Sequence, residues 1–188
     1  MIANENKALQ ELIDACRKGD RKFQDLLYKQ FYGFALAICL RYARSREEAI
    51  EILNDGFYKI LTNLDKYSPG LSFKGWLRTI MVNASIDHYR KNEKHYHQVD
   101  ISYIKNERLL PEVVSNLGEE VIINAIQELP PSYRSVFNLY VIEGYKHSEI
   151  AQKLNISEGT SKSNLNIARI KLKKFLNILS DEKSEQNG

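Results

Sequence analysis

Residues 144–176 read GYKHSEIAQKLNISEGTSKSNLNIARIKLKKFL. Ile150 and Leu154 have helical spacing in the first half of this stretch, and Asn155 follows them. Asparagine tolerates the left-handed backbone conformation that a tight turn between two helices needs. Ser157 can then cap a second helix, because its side-chain oxygen can accept a hydrogen bond from the first helical turn. The pattern predicts a helix-turn-helix, which places its second helix in the major groove of DNA.

The second of these helices has two different sides, since successive residues of an α-helix are rotated by about 100°. One side is apolar and is predicted to face the core; it carries Leu165, Ala168, Leu172 and Phe175. The other is predicted to face outward; it carries Gly159, Lys162, Ser163, Asn166, Ile167 and Lys173. An asparagine side chain can hydrogen-bond an adenine edge, and a lysine can bind a guanine or a phosphate. An exposed isoleucine can contact a thymine methyl group. The alternative is that the lysines are ordinary solvated side chains and Ile167 lies at the edge of the core.

Most of the remaining chain also has the spacing of amphipathic helices. No stretch alternates apolar and polar residues with a period of two, so strands are not predicted. Gly19 ends a first helix, and Asp20 can cap a long, very apolar second one. Ser45 and Glu48 have the spacing of a capping box that begins a third helix, and a turn over residues 65–70 precedes a fourth. The fold class is therefore predicted to be all-α.

Helical periodicity is lost between residues 91 and 118, where Pro111 and Gly118 occur and acids balance bases. Such a stretch is typical of a linker between compact domains. We therefore predict two small helical domains, at 8–92 and 119–179, joined by a linker at 93–118. The helix-turn-helix belongs to the C-terminal domain.

The composition excludes several broad classes of protein. The chain has 188 residues, 43% of them hydrophobic and 27% charged, which is enough for one ordinary domain or two small ones. Its longest apolar run, residues 34–40, is far below the roughly 20 residues of a membrane span. The first ten residues lack the features of a secretory signal. We therefore expect a cytoplasmic protein without direct membrane insertion, and we expect Cys16 and Cys39 in the core.

Charge is unevenly distributed along the chain, although the net charge is only +3. Residues 47–65, here called the acidic stretch, contain five acids and one base. Residues 74–97 contain five bases and two acids, and residues 146–174 contain seven bases and two acids. This pattern predicts two contacts with a polyanion and one contact with a basic partner. The alternative is three ordinary solvated helix faces.

The predicted fourth helix interleaves aromatic and basic residues, which are Phe73, Trp76, Arg78, Tyr89, Arg90, Lys91 and, just beyond, Lys94. Aromatic rings beside bases suit single-stranded nucleic acid, because unstacked nucleobases stack on the rings. The alternative places Phe73 and Trp76 in the core.

Catalytic and metal-binding motifs are lacking in the sequence. His88, His95 and His97 do not have the His-Glu-x-x-His spacing of a zinc-binding helix. There is also no phosphate-binding glycine loop and no nucleophile elbow. We therefore expect a protein that is not an enzyme and that uses no cofactor and no metal. A helical metalloenzyme using these three histidines is a remote alternative.

The acidic stretch, the Trp76-containing basic helix, the linker and the terminal helix-turn-helix, in this order, resemble a bacterial RNA polymerase sigma factor. The resemblance is to the extracytoplasmic-function (ECF) type of the sigma-70 family and, more loosely, to its iron-transport-like branch. The helices up to Arg90 look like domain two of that family, and residues 119–176 look like its domain four. The implied function is that of an alternative sigma factor, which directs core RNA polymerase to specific promoters and helps to open them.

The resemblance also implies roles for individual residues. The acidic helix that docks on the clamp helices of the largest polymerase subunit matches Glu48, Glu51, Asn54 and Asp55. The elements that hold the melted minus-ten strand match Tyr67, Ser68, Ser72, Asn83, Asp87 and Arg90. The reader of the minus-thirty-five element matches Ser157, Thr160, Lys162, Ser163, Asn166 and Ile167. The linker would run through the polymerase interior between the two DNA sites.

The chain departs from the family pattern at two places. Lys146 stands where the family often has a serine or threonine that caps the first helix of the helix-turn-helix, so this cap is either missing or supplied by Ser148. Asn164 and Asn166 replace residues that are frequently basic or aromatic. These asparagines put the promoter sequence in question and leave the motif intact.

The implied partners are core RNA polymerase, promoter DNA as a duplex and as a melted strand, and an anti-sigma factor, since members of the family are commonly held inactive by one. The alternative function is that of a stand-alone helix-turn-helix regulator. Such a regulator binds duplex DNA unaided, often at paired half-sites, and needs no polymerase.

Overall fold

The computed structural model describes residues 2–69, 71–92, 96 and 119–186, and side chains within 7–69, 71–92, 96 and 122–175. The predicted linker at 93–118 lies outside these residues except for Tyr96. His95 and His97, two of the three histidines considered above, lie outside them as well.

All regular elements within these described ranges are helical, which confirms the predicted all-α class. The α-helices are α1 (Ile2–Arg17), α2 (Arg21–Leu40), α3 (Arg46–Thr62), α4 (Phe73–Lys91), α5 (Glu119–Gln127), α6 (Pro131–Phe137), α7 (His147–Leu154) and α8 (Glu158–Gln186). A short 3-10 helix, Leu64–Lys66, follows α3. A π-helical segment, Asn138–Ile142, continues α6 and was not predicted from the sequence.

The connection between α1 and α2 forms as its sequence predicts. Gly19 has a φ of +81°, a conformation that glycine adopts without strain. The Asp20 carboxylate oxygen Oδ1 accepts a hydrogen bond from the Lys22 backbone N–H at 2.9 Å. Because the first N–H groups of a helix have no partner within it, this contact stabilises the start of α2.

The chain divides into two compact units, of which the first comprises Met1–Cys39 and Arg46–Ser85. Its core is formed by apolar residues of α1 to α4, among them Ile13, Leu27, Phe31, Ala35, Ile52, Leu53, Ile60, Leu77 and Met81. Helices α3 and α4 approach closely at Gly56, where an added Cβ would collide with the Met81 sulfur. Cys16 and Cys39 are buried as predicted. Burial, and secondarily the charge of Asp20, raises the pKa of the Cys16 thiol.

The second unit comprises Leu40–Ser45 and Ile86–Gly188. Within it, Leu129, Tyr133 and Ala168 form a buried cluster that Phe137, Ile167 and Leu172 pack against. The Arg134 side chain is buried and donates hydrogen bonds to the backbone carbonyls of Ile126, Gln127 and Leu129 at the end of α5. The cluster and Arg134 together hold α6 beside α5 and α8. The predicted domain boundaries, 8–92 and 119–179, stay a prediction.

None of the described helices is both long enough and apolar enough to cross a membrane.

Candidate nucleic-acid interface

The exposed side of α3 presents the residues of the acidic stretch. Glu51, Asn54 and Asp55 are exposed, and Glu48 is half-buried. The three exposed residues share a side because helical residues three and four positions apart are neighbours, while the opposite side is buried. From α2, the Tyr28 hydroxyl donates a hydrogen bond to Asn54 Oδ1 at 3.2 Å. The result is an acidic surface with one of its polar side chains held in place.

Tyr58 extends this acidic surface by one turn. Its side chain is 70% exposed, and it follows Asn54 and Asp55 by four and three positions. Aromatic residues are frequent among those that contribute most to protein–protein affinity. Tyr58 was not predicted as an interface residue, although its helical spacing from Asp55 was visible in the sequence.

A cleft of about 270 Å³ opens in the first unit, between the end of α3 with the residues that follow it and the first half of α4. Its lining residues are Lys59, Asn63, Lys66, Trp76, Ile80 and Asn83. An aromatic ring, an aliphatic side chain, two ammonium groups and two amides meet in this cleft. That combination suits a nucleobase and its phosphate, because the ring can stack on the base while the cations neutralise charge. Of the six residues, Asn83 and Trp76 were named from the sequence as nucleic-acid contacts, Trp76 with a place in the core as its alternative.

The turn before α4 is held together from inside by Tyr67. Its ring packs edge-on against Phe73, with the ring centres 5.2 Å apart, and lies 5.5 Å from the ring of Trp76. Its hydroxyl donates to the Leu71 carbonyl at 2.7 Å. Tyr67 is buried and supports the turn from inside, and its contact with the minus-ten strand stays a prediction.

The remaining residues predicted for the minus-ten strand occupy exposed positions. Ser68 and Ser72 are exposed in the turn, and Ser72 Oγ accepts a hydrogen bond from the Gly75 N–H at 3.3 Å. Asp87 and Arg90 are exposed farther along α4, within the second unit. Ser72 thus has a local structural role, since it caps the first turn of α4.

The aromatic residues of α4 divide between the core and the cleft. Phe73 and Tyr89 are buried, as the alternative interpretation expected for Phe73. Trp76 is half-buried and lines the cleft. The polar side of α4 keeps Lys74, Arg90 and Lys91 exposed, so the basic character of this helix is accessible to a polyanion.

The helix-turn-helix forms from α7, a short turn and α8. Asn155 has φ 54° and ψ 44°, the left-handed conformation that its residue type predicts. Ser157 Oγ accepts a hydrogen bond from the Thr160 N–H at 2.9 Å and also bonds the Thr160 hydroxyl at 2.9 Å. The predicted cap of α8 is thereby confirmed.

The outward side of α8 carries most of the predicted reading residues. Lys162, Ser163 and Asn166 are exposed, whereas Ile167 is half-buried and packs against the Leu129–Tyr133–Ala168 cluster. The expectation of an outward Ile167 is therefore wrong. The buried arc of α8 is wider than the sequence suggested, because both α6 and α7 pack against this helix. Ile170 is exposed instead, at 61%, one turn beyond Asn166.

Two stretches of the chain match models of one protein family. Residues 27–95 match Sigma-70 region 2, and residues 119–172 match Sigma-70 region 4. The chain belongs to the sigma-70 family. The acidic surface and the cleft fall within its region 2, and the helix-turn-helix falls within its region 4.

Curated relatives place the chain beside ECF members of the sigma-70 family. It is 28% identical to the ECF RNA polymerase sigma factor SigW of Bacillus subtilis, covering 91% of this chain and 98% of that protein. It is also 28% identical to the ECF RNA polymerase sigma factor EcfG of Rhodopseudomonas palustris, and this match covers 76% of this chain and 78% of that protein. The iron-transport-like branch stays a prediction.

Among solved structures, the chain is similar to the sigma factor RpoE in complex with the anti-sigma factor NepR from Bartonella quintana. The TM-score is 0.48 at 21% sequence identity, and the match covers 82% of this chain and 96% of that one.

The structure shows how this sigma-70 chain begins α7 without the usual cap. Lys146 precedes the helix, and a lysine side chain cannot accept a hydrogen bond. Its backbone N–H instead donates to Glu149 Oε2 at 2.8 Å. The start of α7, for which the sequence left either no cap or one from Ser148, is therefore stabilised by Glu149. Of the two departing asparagines, Asn164 is half-buried and Asn166 is exposed on the outward side.

Proposed function

We propose that this protein is an alternative sigma factor of the ECF type, which directs core RNA polymerase to specific promoters and helps to open them. The observation that carries the proposal is the pair of sigma-70 regions, 2 and 4, in that order on one chain. As an initiation factor it catalyses nothing itself, and it acts in the cytoplasm with the polymerase.

The acidic surface of α3 is the proposed docking site for core polymerase. Glu51, Asn54 and Asp55 offer two carboxylates and a carbonyl on one exposed helix side. Such a surface fits a basic partner, here the clamp helices of the largest polymerase subunit. Complementary charge raises the association rate and excludes partners of the same sign. The fixed Asn54 amide supports this docking, because less side-chain freedom is lost on binding.

The cleft in the first unit is the proposed site for a base of the melted minus-ten strand. Trp76 and Ile80 supply apolar surface, and Lys59 and Lys66 supply positive charge at its edge. Asn83 can hydrogen-bond a base edge, because an amide offers both a donor and an acceptor. The exposed Ser68 and Ser72 of the neighbouring turn, with Asp87 and Arg90 on α4, complete the proposed contacts with this strand.

Helix α8 is the proposed reader of the minus-thirty-five element in duplex DNA. Lys162, Ser163 and Asn166 are exposed on its outward side, close to the capped end that enters a major groove in helix-turn-helix proteins. Ser157 and Thr160 form the cap, and their exposed position suits contact with a phosphate. Ile167 packs against the core, so its proposed role in DNA reading is to hold the orientation of α8.

An anti-sigma factor is the third proposed partner, alongside core polymerase and promoter DNA. Sigma factors of this type are commonly controlled in this way, and the accessible α3 and α8 surfaces are the ones such a partner must cover to block transcription.

Co-elution with bacterial core RNA polymerase on a sizing column tests the proposal. We expect the wild-type chain to co-elute and Asp55→Arg to lose most of its binding, because the reversed charge faces a basic partner. Glu11→Arg is the matched control, since Glu11 is an exposed acid on a different helix, α1. Unchanged binding of Asp55→Arg would contradict the docking site. No co-elution at all, together with duplex binding by the chain alone, would favour the stand-alone regulator.

A further inference from the structure

A hydrogen bond links the two helices of the helix-turn-helix. It joins His147 Nδ1, in the first residue of α7, to Ser161 Oγ, in the first turns of α8, at 2.9 Å. Ser161 is fully buried, with 0% of its surface exposed. A buried hydroxyl without a partner costs free energy, so this contact stabilises the local structure.

The face of the His147 ring also has a contact. The Tyr140 ring of the π-helical segment stacks on it, with the ring centres 4.5 Å apart and the planes inclined by 22°. The guanidinium of Arg169, on α8, lies 5.9 Å from the centre of the Tyr140 ring. The stacking on Tyr140 limits the plane of the His147 ring, and the hydrogen bond to Ser161 directs Nδ1 within that plane.

The position of Ser161 on α8 relates this hydrogen bond to the residues proposed to read DNA. Residues 162, 163 and 166 lie about 100°, 200° and 140° around the helix from Ser161, so they point away from it. Any rotation of α8 about its own axis moves Ser161 off His147 and re-aims Lys162, Ser163 and Asn166. The packing of the buried Leu165 and Ala168 determines which side of α8 faces the core. A hydrogen bond is sensitive to both distance and angle.

We propose that the His147–Ser161 hydrogen bond sets the rotation of α8 about its axis and thereby the base specificity of the upstream promoter contact. His147 is a positioning residue in this scheme and touches no base. The inference rests on the proposed function, because it assumes that α8 reads duplex DNA.

The test uses holoenzyme assembled from core polymerase and the full chain. A duplex upstream element is first enriched from a random library with the wild-type protein. The measured quantity is the discrimination ratio, the affinity for the enriched duplex divided by that for single-base variants of it. The unfolding temperature of each variant is measured in parallel.

The variants separate orientation from stability. Ser161→Val and His147→Phe each remove one partner, and the phenyl ring keeps the stacking on Tyr140. We expect each to lower the unfolding temperature and to reduce the discrimination ratio about tenfold, the size of one lost bidentate base contact. In the double variant no buried polar group is orphaned, so stability should recover while discrimination stays low.

Two further variants complete the design. His147→Asn keeps a hydrogen-bonding atom near the position of Nδ1, and we expect it to retain most of the discrimination ratio even if the single variants above do not fold. Ser148→Ala is the matched control, because Ser148 is an exposed neighbour on α7. A wild-type discrimination ratio in both Ser161→Val and His147→Phe would overturn this inference and leave the proposed function standing. The same holds if the double variant recovers the discrimination ratio together with its stability. Failure of the wild-type holoenzyme to enrich any duplex would overturn the proposed function, and this inference with it.

Discussion

Single buried side chains support the surfaces proposed to bind DNA. Tyr67 packs on Phe73 and Trp76 and bonds the Leu71 carbonyl, so one ring and one hydroxyl hold the turn in front of α4. Tyrosine suits this role because its ring fills a core and its hydroxyl satisfies a backbone group. The exposed residues of the turn can therefore meet DNA from a fixed backbone.

At the same scale, Tyr58 is predicted to contribute directly to polymerase affinity. We expect Tyr58→Ala to weaken core binding about tenfold, since truncation of an interface aromatic often costs more than 1 kcal/mol. Its unfolding temperature should be unchanged, because the ring is 70% exposed. Titration of labelled core polymerase measures the affinity. Phe23→Ala, an exposed aromatic on α2, is the control, and equal losses in the two variants would remove Tyr58 from the interface.

At the scale of the element, the helix-turn-helix combines signals of two kinds. The left-handed Asn155 and the Ser157 cap are local, each requiring only a few neighbouring residues. The buried arc of α8 is not local, because it depends on which helices pack against it. Ile167 is covered by contacts with residues of the α5–α6 region, more than 30 positions earlier in the chain.

Asn155 gives an element-scale prediction that depends on its backbone conformation. Because its φ is +54°, Asn155→Ala should destabilise the second unit by about 1 kcal/mol, since alanine lacks the short polar side chain that makes the left-handed region accessible to asparagine. Asn155→Gly should remain close to wild type, since glycine adopts this conformation freely. Thermal unfolding compares the two. An alanine variant as stable as the glycine variant would contradict the proposed strain.

At the scale of the whole molecule, charge is segregated along the chain. The acidic stretch lies in the first unit, whereas the bases of residues 146–174 lie in the second. The small net charge of +3 therefore hides two surfaces of opposite sign. A protein that binds both a basic polypeptide surface and DNA needs this separation, because each surface would otherwise repel its partner.

Promoter affinity should accordingly fall with salt concentration. We expect the logarithm of the association constant to fall linearly with the logarithm of salt, by about 0.9 for each phosphate contact on duplex DNA. If Lys162 contacts a phosphate, Lys162→Ala should reduce the magnitude of this slope by about 0.9, the contribution of one phosphate contact. Lys18→Ala, an exposed lysine after α1, should leave the slope unchanged. Holoenzyme binding to an enriched duplex at several salt concentrations measures it, and an affinity independent of salt would contradict the basic surface.

Local features of this protein could be predicted because they depend on near neighbours in the chain. Helical spacing predicted the all-α class, and Gly19, Asn155 and Ser157 indicated where helices end and begin. The count of acids and bases along the chain also indicated the acidic stretch at residues 47–65. For the helices and their ends, backbone preference or a contact within one helical turn determines the outcome.

Other features emerged only when distant segments came together. The cleft brings Lys59 and Asn63 beside Trp76, and no pattern in either segment indicates that they meet. The burial of Tyr67 and Ile167, and the bond between His147 and Ser161, likewise depend on which helices pack against each other. Amphipathic spacing shows that one side of a helix is buried, but packing determines how wide that side is and which polar groups find a partner inside it.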